Sequence, residues 1–359
     1  MENTAILMPN WIGDFILALS VIERKYIAKD RVTLIIPEKL VQLGAVINPY
    51  KSIVYHRSTR DDFKSTVNEI RQKGFSRIYL LAYSFSAAYL AFRCDIRVRR
   101  GLRSEGRSLL LTDHVPHSSK NRSFHVTREY AQVLETPCIP PEFHSGFTPP
   151  SVSPDRSSRT TIIVCPGAAF GPTRRWSGFN EIVTRLPHHH FTLLGNTNDA
   201  EIIDREIPFT STNVENLAGK TTLAEAAQII ATASLVVAND SGLLHLAGYF
   251  GIPAIGIYGS TSPRWTRPLG NTTAIVSSRT SCAPCFRKTC RYGTPHCLSS
   301  LSTDHIVGIL LDAIDKHIPD RFRNRTARHD AEIKGKPYAL SRPDSKTGTP
   351  AVAAPPLQT

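Results

Sequence analysis

Short runs of nearly unbroken apolar residues recur along this chain, each closed by proline, glycine or asparagine and followed by a helical stretch. Ala5-Ile6-Leu7-Met8-Pro9 ends in Pro-Asn and gives way, through Gly13-Asp14, to the apolar stretch Phe15 to Ile22. Arg31 to Pro37 and Arg77 to Leu81 repeat the strand-like part. A strand wetted on one face alternates apolar and polar residues, whereas one covered on both faces does not. These runs predict parallel strands with helices on either side, an α/β fold.

The alternation stops and restarts. Between Pro137 and Arg159, Pro137, Pro140, Pro141, Pro149, Pro150 and Pro154 stand among serines. Such a stretch continues neither a helix nor a central strand, and reads as a linker. Strands are then expected at Thr161 to Cys165, Phe191 to Gly195, Ser234 to Ala238 and Ala254 to Gly259, with helices over Gly178 to Leu186, Leu223 to Thr232 and Gly242 to Phe250. Two successive α/β halves predict two Rossmann-like domains facing a central cleft, residues 1–155 and 156–319. The polar, basic remainder, 320–359, is expected to be a disordered tail.

Charge narrows the partners. Of 359 residues, 43 are Lys or Arg and 30 Asp or Glu, a surplus of +13 that favours anionic partners: phosphorylated metabolites, an acidic membrane face or nucleic acid. Part of it lies between Arg93 and Arg107, where Arg97, Arg99, Arg100 and Arg103 also fall. No run approaches the roughly 18 apolar residues of a membrane span, and the N-terminus lacks the basic start of an export signal, so a cytoplasmic protein is expected.

In open α/β sheets, ligands bind beyond the carboxyl ends of strands, beside helix N-termini. Three polar segments fall there. Pro9-Asn10-Trp11-Ile12-Gly13-Asp14 follows the first strand; Asp14 reads either as a carboxylate favoured by the helix dipole or as a general base. Cys165 to Trp176 combines Gly167, Ala168 and Gly171 with Arg174 and Arg175. Its small residues let backbone N–H groups approach an oxyanion, and an arginine adds a bidentate contact; a flexible loop with surface arginines is the plainer reading. Asn239-Asp240-Ser241-Gly242-Leu243-Leu244-His245 offers three good N-cap residues where a cap needs one, which suggests a phosphate or hydroxyl-rich ligand beside simple capping.

Together with Leu217-Ala218-Gly219-Lys220-Thr221-Thr222-Leu223 and Tyr258 to Pro263, these segments resemble, in order and spacing, the ADP-heptose:lipopolysaccharide heptosyltransferases of glycosyltransferase family 9, most nearly the second enzyme of that pathway. The resemblance covers Ala5 to His317. It implies a GT-B fold and an inverting transfer of heptose from ADP-heptose to the phosphorylated inner core of a lipid A precursor, at the inner membrane face, with no cofactor needed for catalysis. It makes Asp14 the catalytic base. It places the donor against Gly167, Ala168, Arg174, Arg175, Thr221, Asp240, Ser241, Gly242, Leu243 and His245. The acceptor would meet Asn10 and Trp11, with Arg97, Arg99 and Arg100 on its phosphates. The chain departs from the family at Arg174, where relatives usually carry Lys, and at Ala169, where they tend to carry Glu.

The resemblance leaves Cys282, Cys285, Cys290 and Cys297 unexplained. In a reducing compartment this spacing makes the four thiols candidate ligands of a structural Zn²⁺ or iron–sulfur cluster. Two alternatives remain open: another nucleotide-sugar enzyme of the same fold, and a nucleic-acid-binding protein with a Cys₄ metal site, although the strand-end motifs would then have no use.

Overall fold

The computed structural model describes residues 3–26, 29–104, 106–116, 122–138, 161–206, 209, 211–270 and 272–317. The expected basic tail lies outside these residues, as does all of the expected linker beyond Cys138.

The first half is built on β1 (Thr4–Leu7), β2 (Val32–Pro37), β3 (Lys51–Tyr55), β4 (Arg77–Leu80), β5 (Val98–Leu102) and β6 (Asp113–Val115), in the order β3-β2-β1-β4-β5-β6. Helices α1 (Ile12–Lys25), α2 (Val41–Ile47), α3 (Arg60–Gln72), α4 (Phe85–Arg93) and α5 (Thr127–Val133) connect and cover it. The second half repeats the plan with β7 (Thr161–Cys165), β8 (His190–Leu193), β9 (Val214–Asn216), β10 (Leu235–Asn239), β11 (Ala254–Tyr258) and β12 (Thr273–Ser277), ordered β12-β11-β10-β7-β8-β9. Its helices are α6 (Phe179–Arg185), α7 (Thr197–Glu206), α8 (Leu223–Ala231), α9 (Gly242–Tyr249), α10 (Pro263–Thr266), α11 (His296–Ser299) and α12 (Thr303–His317). Every strand pairing is parallel.

Counted within each half, both sheets run 3-2-1-4-5-6. The winding direction reverses between the first and fourth strands, and ligands of such sheets lie at that reversal. In the first half it falls between β1 and β4, in the second between β7 and β10. The apolar runs recognised in the sequence explain why these strands are central: β10 and β11 are buried at every position.

The halves share one continuous apolar core. It runs from Ile6, Phe15 and Leu19 of the first half to Ile163, Ala227 and Leu246 of the second. Helix α1 packs on α9 and α2 on α8. Tyr249 Oη donates to Glu23 Oε1 (2.6 Å) and Val126 N to the carbonyl of Trp265 (2.9 Å), so polar ties reinforce the junction.

Candidate active site

Helix α1 begins just beyond β1 and α9 just beyond β10, so two helix N-termini meet at facing sheet reversals. Two glycines allow it. A Cβ on Gly13 would stand 2.6 Å from His245 Cδ2, and one on Gly242 would stand 2.5 Å from Ile12 Cβ. The second neighbour is the root of a side chain and cannot swing aside. Gly242→Ala is therefore expected to cost about 1–3 kcal/mol, read as a lower urea midpoint, and to depress turnover by parting the helix starts. An unchanged midpoint would show that the contact is absent in solution.

Between these helix starts opens a cleft of about 460 Å³, lined by Asn10, Trp11 and Asp14 from one side and by Arg174, Asp240 and Ser241 from the other. Asp14 lies in the first turn of α1, half-buried, and accepts a hydrogen bond from Tyr130 Oη at 3.1 Å. Burial pushes its pKa up to about 6, against the lowering effects of the Tyr130 hydroxyl and the Arg174 charge; Asp240 adds to the rise. Tyr130 is itself wholly buried, beside Glu129, which accepts from Tyr83 Oη (3.0 Å). A carboxyl held near neutrality at a cleft wall, with one oxygen fixed by a phenol, is equipped to take a proton.

The facing wall carries positive charge. Arg174 Nη1 lies 3.2 Å from Asp240 Oδ2, and its guanidinium stacks 4.0 Å above the Phe170 ring. Asp240 is 3% exposed, and the Thr261 hydroxyl donates to the same oxygen. Burial raises the Asp240 pKa, while Arg174 and Thr261 oppose the rise.

None of the three cap-type residues before α9 caps it. Asn239 accepts from Trp176 N (3.1 Å) and donates to the carbonyl of Pro166 (2.7 Å), pinning the loop that carries Arg174. Asp240 holds Arg174. Ser241 occupies the N-cap position without a capping bond, and its Oγ is buried with no partner among the described residues. The helix start is left able to receive an anion. His245, one turn in, is buried; burial foremost, then His125 and Arg174, brings its pKa down to about 3, so it is neutral at physiological pH.

A second recess of about 230 Å³ adjoins the cleft through Ser241 and Gly242, lined by Gly167, Ala168, Thr221, Leu243 and Asp199. A Cβ on Gly167 would fall 2.2 Å from the Asp199 carboxyl, so a larger residue there would close it. Asp199 accepts from Asn196 N (3.0 Å), and its own N–H donates to Asn196 Oδ1 (2.9 Å), which fixes the start of α7 against the recess.

Residues 64–296 match the profile of Glycosyltransferase family 9 (heptosyltransferase). The chain belongs to this family. It is 27% identical over 315 residues to a lipooligosaccharide heptosyltransferase 2 of Haemophilus influenzae, covering 76% of this chain and 88% of the relative. A lipopolysaccharide heptosyltransferase 2 of Escherichia coli is 30% identical over 232 residues, 58% of this chain and 67% of its own. The solved structure of E. coli ADP-heptose lps heptosyltransferase II superposes with a TM-score of 0.70 at 23% identity, over 88% of this chain and 99% of that one. Family membership selects sugar transfer over nucleic-acid binding, and the shared fold agrees with the two Rossmann-like halves expected from the sequence.

Within this glycosyltransferase, most residues singled out in the sequence converge on the cleft or the recess, but the arginine cluster does not. Arg99 and Arg100 pair in register with Ile78 and Tyr79 of β4, whereas the cleft lies past that strand's far end. The Arg99 guanidinium donates to the carbonyls of Leu110 and Ile96 (both 2.7 Å). Arg100 serves Val133 O (3.0 Å) and Asp113 (2.6 Å). Arg97 is exposed and lines neither cavity. None of the three reaches the cleft, and two are engaged by backbone carbonyls and a local carboxylate. Arg175 also lines neither cavity, although its charge acts on Asp199.

Among the described residues no group of three or more His, Cys, Asp or Glu is placed to hold a metal ion. Cys282, Cys285, Cys290 and Cys297 share one region but differ in depth: Cys297 is buried, Cys285 exposed. Burial foremost, then the nearness of the other three sulfurs, pushes the Cys297 thiol up.

Sequence reasoning missed Tyr130, Asp199 and Arg122. Arg122 lines the cleft and stacks 3.8 Å above Phe286 of the opposite half. Tyr130 sits in the short, largely buried helix α5, and no local pattern marks it.

Proposed function

We propose that this chain transfers heptose from ADP-heptose to the inner core of a lipopolysaccharide precursor, as a heptosyltransferase II, with inversion at the anomeric carbon and without a metal ion in the chemistry. The observation that carries this reading is the opposition of Asp14 to Arg174 and the uncapped α9 start across one cleft. The names of the relatives supply the sugar and its carrier.

The donor's nucleotide fits the recess beside Gly167 and Thr221, which brings its diphosphate to Arg174, Ser241 and the first N–H groups of α9. Asp14 removes the proton from an acceptor hydroxyl as that oxygen attacks the anomeric carbon. The bond to the diphosphate breaks on the opposite face, and ADP takes the electron pair. Its growing charge meets a fixed guanidinium and a helix N-terminus, already oriented before the reaction. Those groups supply what a divalent ion supplies in other sugar transferases. Asn10 and Trp11 stand on the acceptor side; the Trp11 ring is exposed, with the Lys39 ammonium 5.1 Å from its centroid, a surface suited to a sugar bearing phosphate.

Product analysis decides the matter. With EDTA-treated protein, ADP-heptose and a core acceptor should yield heptosylated product and ADP, and UDP-sugars should not. Transfer from UDP-sugars would reassign the donor, and activity restored only by Mg²⁺ would overturn the metal-free chemistry. Among the described residues no helix is long and apolar enough to cross a membrane.

A further inference from the structure

Helix α4 is built inside out. The face it turns to the sheet consists of Ala87, Ala88, Leu90 and Ala91, mostly small residues. Its solvent face carries Phe85, Tyr89 and Phe92, spaced i, i+4, i+7 and each 38–48% exposed. A helix covering a sheet ordinarily presents large apolar side chains inward and polar ones outward. Leu109, on the turn packed against α4, is 94% exposed, and Phe63 of α3 stacks on Tyr89 at 5.8 Å. The result is a continuous aromatic surface on the outer side of the first half.

Its rim is cationic. Arg93 is exposed, with its guanidinium 5.7 Å from the Tyr89 centroid, and the Arg99 guanidinium lies 5.6 Å from that of Phe92. Arg97 and Arg103 are exposed in the following segments. Among the described residues the neighbouring acids are Asp95, which is exposed, Asp61, which pairs with Lys64 at 3.1 Å, and Asp62, which accepts from the N–H of Thr59, the N-cap of α3. Rings at headgroup depth with arginine heads among lipid phosphates is the arrangement by which a protein lies on a bilayer without crossing it. Ser84 caps α4, and the preceding Tyr83 bonds Glu129 beside the Tyr130–Asp14 pair, so the start of α4 lies on the cleft side of the half while the patch itself faces outward.

We propose that the outward face of α4, with Leu109 beside it and Arg93, Arg97 and Arg103 around it, docks on an anionic lipid bilayer. This deepens the transfer reading, on which it rests for the acceptor being membrane-borne, and the two are tested separately. Full-length protein should co-sediment with vesicles containing roughly 30% phosphatidylglycerol, less so in high salt, and poorly with phosphatidylcholine alone. Tyr89→Ser with Phe92→Ser should weaken binding about tenfold or more, and so should Arg93→Glu with Arg103→Glu. The aromatic variant should keep its turnover on a delipidated acceptor and lose it on an acceptor held in vesicles. Undiminished sedimentation of both variants would overturn the proposal, as would wild-type protein that ignores anionic vesicles. A wild-type dimer that the aromatic variant dissociates would reassign the face to self-association and overturn it too. Vesicle binding without transfer to either acceptor would sink the transfer reading while supporting the docking.

Discussion

Replacing Asp14 by Asn is expected to lower turnover by about 10²–10⁴-fold and, at neutral pH, to make the protein more stable. Both follow from one carboxyl. Loss of turnover reflects the missing proton acceptor; donor affinity should survive, because the nucleotide contacts lie on the other wall. The gain in stability follows from linkage. Burial raises the Asp14 pKa from 3.8 to about 6. Between those values the folded protein holds a proton that the unfolded chain has released, so stability declines as pH rises through this window and stays reduced above it. Discounted for the partial exposure of the carboxyl, the cost at pH 7 is about 1–2 kcal/mol, and Asn escapes it. Denaturation midpoints of the two proteins should therefore separate at pH 7 and converge below about pH 4. Wild-type kcat/KM should fall tenfold per pH unit below about pH 6, since only the ionised carboxylate accepts the proton. Full activity in the Asn variant would remove Asp14 from the reaction.

Arg174→Ala is expected to reduce kcat/KM for the donor by about 10²–10³-fold, the scale of losing one fixed stabiliser of developing charge. It also strands Asp240. Severing a buried ion pair costs about 3–5 kcal/mol when the partner has no other support, but Asp240 retains the Thr261 hydroxyl and can take up a proton. The loss should be smaller than that, largest at neutral pH, and should shrink in acid. Arg174→Ala combined with Asp240→Asn should recover the stability and none of the activity. If the double variant also regained turnover, Arg174 would be a structural partner of Asp240 and nothing more. Arg174→Lys tests reach: a point charge cannot span Asp240, Phe170 and a diphosphate as the planar fork does, and a partial loss is expected.

What the sequence discloses here depends on whether a side chain's partner can be foreseen. Strands β7, β10 and β11 are wrapped on both faces, so apolar continuity announces them. Strand β5 reads Val98-Arg99-Arg100-Gly101-Leu102 and announces only charge, because its guanidiniums find main-chain carbonyls that no composition reveals. Asp14, Arg174 and Ser241 were legible since they stand in the segments between an apolar strand and the next helix, where such folds put ligands. Tyr130 reaches Asp14 from 116 positions away, a proximity fixed only by packing α5 against α1. In the cysteine segment, spacing gave the number of thiols but not their depth.

The glycine contacts between α1 and α9 are reciprocal: Gly13 yields room to His245, and Gly242 yields room to Ile12. Each half thus completes a surface left hollow by the other. In chimeras that join the front of one such enzyme to the back of another, these four positions must travel as a set. A recombinant that mixes them would misplace its proton acceptor relative to the departing nucleotide even though both parents were fully competent.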